Sequence, residues 1–385
     1  MNNPISNLKQ EENLLLKLCR LLFNDDQKST INELVTGIND WDYFTKLANE
    51  HGIVSLVFYN LVQLDLTSSI PESSRNTLQA LHLQSLARNT FLIEKYIELK
   101  ENLDEIGIEP VVLKGMALEP SIYGNKVLRQ MTDIDLYIPG KDECLKAWNH
   151  LVNYGCKPKP LKSPIYKKIL ADFGKHMPDL YKDGISIDLH HGLFDNDYPI
   201  NTIGISTDKL KLKIPTYDIH FLFLAKHLSD HELRGESQLR LYIDLLQIII
   251  KTELNFTSTN ITNLAEKSGL KTILIEKLFL LHKFWLVPVK EDILNQLTDK
   301  QKSRATDMFL SFLRNPKGRS GTNKGTNYRK TLRNIPTLRK KFIFIIGDLF
   351  PSLTFMQNRY STKTRIGACL YYPLRLGKLL LLLIR

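Results

Sequence analysis

Cysteine is scarce and unpatterned in this 385-residue chain: Cys19, Cys144, Cys156 and Cys369 are the four, and no two stand at CxxC spacing. That excludes a zinc ribbon and a dithiol redox motif, and a reducing compartment is the simplest setting. Long apolar runs are also missing. The longest, LLLLLI at 379–384, has six residues, whereas a bilayer-spanning helix needs about 20. The N-terminus, MNNPISNLKQEE, has no apolar stretch of the secretory type. There is no HExxH and no internal repeat. Together these predict a cytoplasmic protein, attached to a membrane peripherally if at all.

Acidic residues are almost absent from one end. Between Arg314 and Arg385 stand 16 Lys/Arg and one acid, Asp348, while the other 313 residues carry 36 basic and 40 acidic side chains. The body is near neutral and the tail strongly basic, which suits a phosphate-rich partner such as an anionic membrane surface or nucleic acid. RNPKGRSGTNKGTNYRK (314–330) reads as a flexible linker. At 370–385, Arg375, Lys378 and Arg385 flank a leucine stripe, the pattern of an interfacial helix. A basic helix pair packed by its apolar face reads equally well. Aromatic residues are not regularly interleaved, which counts against a single-strand stacking surface.

Length favours two or three domains, and 43% hydrophobic with 24% charged residues is an ordinary globular balance. Residues 8–104 carry helical periodicity, with breaks near Gly52 and Gly107. The pattern changes at Glu109-Pro110. VVLKG (111–115) reads as a short strand and turn, and DIDLYI (133–138) as a strand ending at Pro139-Gly140. KDECLKAWNHLVNYG (141–155) reads as an amphipathic helix, and 176–194 as a hairpin turning at Asp183-Gly184. Helical periodicity returns from 216. The expected fold is α+β: a small mixed-sheet core at 109–215, a helical region at 1–108, a helical domain at 216–313, and a basic linker and helical tail at 314–385.

The chemistry concentrates in DIDLYI. Residues i and i+2 of a strand face the same way, so Asp133 and Asp135 project together while Ile134 and Leu136 point to the core. Adjacent carboxylates repel unless a cation lies between them, and oxygen-only ligands suit Mg²⁺ or Mn²⁺. A bare DxD also describes a strand edge whose aspartates face water. Its neighbours shift the balance. Lys114-Gly115 closes the preceding strand, where a glycine lets backbone N–H groups approach phosphate. Arg129 offers a guanidinium fork to phosphate or to an aspartate. In SIDLHH, Ser186, Asp188 and His190 share a strand face. Three carboxylates on two strands are the ligand set of in-line phosphoryl or nucleotidyl transfer.

The pattern LKG…Y…R…DIDLYI…IDLHHGL resembles the nucleotidyltransferase superfamily of the DNA polymerase β fold, in its poorly characterised bacterial branch with an LKG, R, DxD and D-L-H signature. The resemblance covers roughly 110–195 and continues weakly through His227, Arg240 and Asp244. It implies that Asp133, Asp135 and Asp188 are the catalytic carboxylates holding Mg²⁺ (or Mn²⁺), and that Gly115 is the turn glycine. It also implies that Lys114, Arg129 and His190 line the nucleotide site, with an NTP as co-substrate. The superfamily turn usually reads Gly-Ser or Gly-Gly; here it is Gly115-Met116.

The expected function is transfer of a nucleoside monophosphate from an NTP to a hydroxyl-bearing acceptor, with release of pyrophosphate. The Met116 departure keeps open an inactive nucleotide- or partner-binding module of the same fold. The histidines His176, His190, His191, His227 and His231 keep open a His/Asp metal-dependent hydrolase. The acceptor is not encoded in the metal motif.

Overall fold

The computed structural model describes residues 8–159, 162–163, 174–194, 198–207, 210–254, 259–316, 332, 335 and 337–384. The expected linker at 314–330 lies outside them beyond residue 316. The fold is mixed α/β, with seven strands among the described residues: β1 (Val111–Val112), β2 (Asp133–Tyr137), β3 (Lys157–Pro158), β4 (Leu180–Lys182), β5 (Ile185–His190), β6 (Thr202–Ser206) and β7 (Lys211–Pro215). They pair both parallel and antiparallel, as the α+β reading requires, and helices flank them on either side in sequence. The described residues fall into two compact units: Met1–Ile97, Val111–Thr132 and Asn196–Arg319 form the first, and Glu98–Pro110, Asp133–Asp195 and Ser320–Arg385 the second.

In the first unit, the helices Trp41–Glu50 and Val54–Gln63 part at Gly52, whose φ of 67° is natural for glycine. The predicted helix at 12–23 is shorter than its apolar pattern: it spans Gln10–Lys17 and its last turn closes at Leu18. β1 runs parallel to β7 through Val111 and Lys213, and β6 and β7 form an antiparallel hairpin. That hairpin was not read from the sequence, although TIGIS and KLKIP both alternate. The helices Tyr217–Leu233, Leu239–Thr252 and Lys271–Trp285 bring leucines, isoleucines and phenylalanines into one core, among them Phe221, Leu222, Leu245, Leu246 and Leu281.

In the second unit, β4 and β5 pair around Asp183 and Gly184, with φ of 51° and 76°. Two residues of positive φ make the type I′ turn whose twist matches the flanking strands. β5 then runs parallel to β2 over five register pairs, Asp133 opposite Ser186 through Tyr137 opposite His190. Ile185, Ile187 and Leu189 are buried and alternate with half-buried Ser186, Asp188 and His190. The helix Lys141–Asn153 follows β2 and buries Cys144, Ala147, Trp148 and Leu151. No helix among the described residues is long and apolar enough to cross a membrane.

Candidate functional site

The parallel register of β2 and β5 sets Asp135 directly opposite Asp188. Asp133 projects from the same face as Asp135, two residues earlier. The three carboxylates offer ligand atoms that all lie within 4.8 Å of one another. Asp135 is buried, while Asp133 and Asp188 are half-buried. Two carboxylate charges at that spacing repel by about 3–4 kcal/mol at an effective dielectric near 20. A divalent cation turns that repulsion into attraction, and hard oxygen donors of this kind fit Mg²⁺ or Mn²⁺. Ser186 Oγ donates to Asp188 Oδ1 at 3.2 Å, and His190 Nε2 stands 3.3 Å from Asp135 Oδ1. The ring of His176 is 5.8 Å from that of His190. His190 thus meets the carboxylate set by holding Asp135, and among the described residues the grouping able to ligate a metal consists of the three aspartates.

Lys114, Gly115 and Arg129 belong to the first unit. Lys114 has φ of 49°, a left-handed backbone that costs a lysine about 1–2 kcal/mol. Its N–H donates to His220 Nε2 at 3.2 Å. His220 is fully buried and its pKa is pushed down to about 4, first by burial, with Asp244 opposing and Arg129 adding to the drop. The imidazole is therefore neutral, with Nε2 accepting and Nδ1 protonated.

Gly115 is needed for space. A Cβ there would stand 2.9 Å from both Arg129 Nη1 and Met131 Cγ. Arg129 cannot give way, because it is 5% exposed and grips Asp244 with two hydrogen bonds, Nη2–Oδ2 at 2.6 Å and Nε–Oδ1 at 3.1 Å. Its Nη1 donates to the Gln130 carbonyl at 2.7 Å, and Arg240 Nη1 donates to the same oxygen at 2.9 Å. Tyr123 donates to Asp244 Oδ1 at 2.8 Å, and burial with the Asp244 charge raises its pKa well above the usual value. The fork that the sequence offered to phosphate is thus closed on an aspartate, and Arg129 forms the wall behind Gly115.

Asn89, fully buried on the helix Glu72–Asp104, holds the segment that carries Arg129. Its amide donates to the carbonyls of Lys126 and Arg129, and its carbonyl accepts from Met131 N at 3.0 Å. Sequence reasoning missed Asn89 and His220. The available signal was a polar residue inside an apolar helical stretch, which alone does not separate a clamp from a satisfied core contact.

Positive charge gathers on this side of Lys114. His231 is pushed down to about 4 by burial and then by Arg234, Lys114 and Arg240, with Asp230 opposing weakly. The rings of His227 and His231 meet edge to face at 4.5 Å, one turn apart as their spacing predicts.

A mixed α/β fold thus carries three co-facing carboxylates, on adjacent parallel strands, that could hold a metal ion. Comparison by family gives the class of protein: a model described as an uncharacterised nucleotidyltransferase matches residues 38–285, and the chain belongs to that family. No curated protein and no solved structure matches it. The matched span contains the aspartates, Lys114, Gly115, Arg129 and His190, and ends before the basic tail.

Proposed function

We propose that the protein is a divalent-cation-dependent nucleotidyltransferase that moves a nucleoside monophosphate from an NTP to a hydroxyl-bearing acceptor. The convergence of Asp133, Asp135 and Asp188 within 4.8 Å carries the reading, and membership of a nucleotidyltransferase family supports it. These three residues would hold the cation. When bound, the cation supplies charge neutralisation for the triphosphate and lowers the pKa of a coordinated hydroxyl.

In this reading the acceptor oxygen attacks the α-phosphorus. The bond from that phosphorus to the bridging oxygen breaks, and pyrophosphate leaves with the bonding electrons. The acceptor's proton passes to a carboxylate oxygen of Asp188, whose Oδ1 is oriented by Ser186. His190 keeps Asp135 in one rotamer by its hydrogen bond. Lys114 and the backbone at Gly115 would take the nucleotide's phosphates, and the positive field felt by His231 suits that role. Arg129 acts through Gly115 as a positioning residue.

The test is incubation of the purified protein with α-labelled NTPs, Mg²⁺ and cell extract, followed by separation of labelled products. Wild type is expected to transfer label to a discrete acceptor. Equal transfer by an Asp133→Ala, Asp135→Ala double variant would overturn the assignment. NTP binding without transfer would leave the inactive-module reading in its place.

A further inference from the structure

The tail of the second unit buries Ile335, Phe344, Met356 and Ala368, yet it also leaves apolar side chains in solvent. Its described helices are Leu338–Leu349, Leu353–Tyr360, Arg365–Cys369 and Tyr371–Ile384. Leu338 and Phe342, one turn apart, face solvent, and so do Ile366, Leu370 and Leu374, spaced four by four; all five are between 52% and 84% exposed. Cys369 and Pro373, their neighbours in sequence, are also exposed. A folded domain normally buries such stripes.

Charge lies inside as well. Asp348, the one acid after Arg314, is 2% exposed. It is ion-paired with Lys162, and Arg375 donates to its backbone carbonyl from Nε at 3.2 Å and from Nη2 at 3.1 Å. Arg375, one of the residues read as flanking the leucine stripe of an interfacial helix, is 6% exposed and serves the interior. The side chains of Lys378 and Arg385 lie outside the described residues. With Asp348 covered, the ionic groups exposed here among the described residues are all basic: Arg339, Arg359, Lys363 and Arg365, with Lys340 and Lys341 half-buried.

We propose that this face is a docking surface for an anionic lipid membrane, with the apolar stripes in the headgroup–acyl boundary and the basic residues among the lipid phosphates. The two halves of the pattern select the occupant together. A second copy of the chain would bring the same positive charge to the contact. Nucleic acid would satisfy the charge but leave exposed isoleucine and leucine without an apolar counterpart. An anionic bilayer satisfies both. Because no described helix is long and apolar enough to span, the contact is peripheral and reversible.

The experiment is co-sedimentation of the full chain with vesicles of phosphatidylcholine alone or with about one-third phosphatidylserine. Wild type should partition at least tenfold more strongly onto the anionic vesicles, and less as salt rises. Ile366→Gln, Leu370→Gln and Leu374→Gln combined should weaken that binding at least tenfold. These side chains are already in water, so the variant's melting curve should match wild type. A separate Leu370→Trp variant should show blue-shifted emission and quenching by brominated lipid on anionic vesicles only. Binding equal on neutral vesicles, a triple-glutamine variant that binds like wild type, or an unshifted emission from the Leu370→Trp variant would each overturn the proposal. So would a dimer in light scattering that the triple variant abolishes, or preferential binding of RNA over vesicles.

Discussion

Arg129 and Asp244 form a two-pronged ion pair, with Nη2–Oδ2 at 2.6 Å and side chains 5% and 0% exposed. They stand 115 residues apart in the chain. Removing one partner leaves a buried charge uncompensated, which costs about 3–5 kcal/mol. Asp244→Ala should therefore lose about that much stability, and it also orphans the Tyr123 hydroxyl. Arg129→Lys keeps the charge but not the fork, and should cost less. Denaturant unfolding of both variants checks the order. A loss under about 1 kcal/mol in Asp244→Ala would show that the pair is not buried in solution.

The carboxylate triad predicts opposite effects on stability and activity. Asp135→Asn and Asp188→Asn relieve like-charge repulsion, so without divalent cation each should melt at or above the wild-type temperature. Transfer activity should fall at least about a hundredfold in each, the scale of losing a group that acts in the transition state. Mg²⁺ should raise the melting temperature of wild type by mass action and leave Asp188→Asn nearly unmoved. A wild-type Tm that ignores Mg²⁺ and Mn²⁺ alike would count against a metal site.

Gly115→Ala should destabilise by about 1–3 kcal/mol, the cost of overpacking. The new Cβ meets Arg129 Nη1 and Met131 Cγ at 2.9 Å. Because the clash and the ion pair share Arg129, Gly115→Ala and Asp244→Ala should be non-additive in a double-mutant cycle. Additive losses would show that the two positions are independent.

Acid should weaken the first unit well before carboxylates titrate. His51, His220 and His231 are each held near pKa 4, mainly by burial, against about 6.5 when unfolded. His51 is neutral in place, its Nε2–H donating to Leu313 O at 2.9 Å and its Nδ1 accepting from Leu239 N at 3.1 Å. Between pH 6.5 and 4 the unfolded chain binds more protons than the folded one. Stability is thus full above 6.5 and falls as pH drops towards 4, by up to about 1.4 kcal/mol per pH unit for each histidine. Melting temperatures across that window should decline steeply, and His51→Gln should flatten the slope by roughly one proton. An unchanged slope in His51→Gln would mean that His51 does not titrate with unfolding.

The local motifs were legible because their information is local. Period-two alternation put Asp133 with Asp135 and Asp188 with His190; Asp183-Gly184 specified a two-residue turn; and Gly52, Gly107 and Gly155 stop or part helices at positive φ, as expected. The β6–β7 hairpin was legible in principle, since both strands alternate. For Arg129 the sequence left two partners open, a phosphate or an aspartate, and the structure shows the aspartate, Asp244. Its sequence neighbours say that a guanidinium is present, but the acid that claims it arrives from a helix 115 residues later.

By itself the sequence determined residue types and periodicities: which side chains share a strand face, where chains turn, and that one end is basic. Tertiary structure decided which faces meet. The parallel register of β2 with β5 turned two separate aspartate motifs into one triad. Packing of the helix Leu239–Thr252 brought Asp244 to Arg129 and made the pair a buried one. Folding of the tail drew its one acid inward and left Leu338, Leu370 and Leu374 outside. Each outcome depends on long-range pairing, where burial makes an ion pair or a close carboxylate contact energetically decisive, and no local pattern encodes which partner will be there.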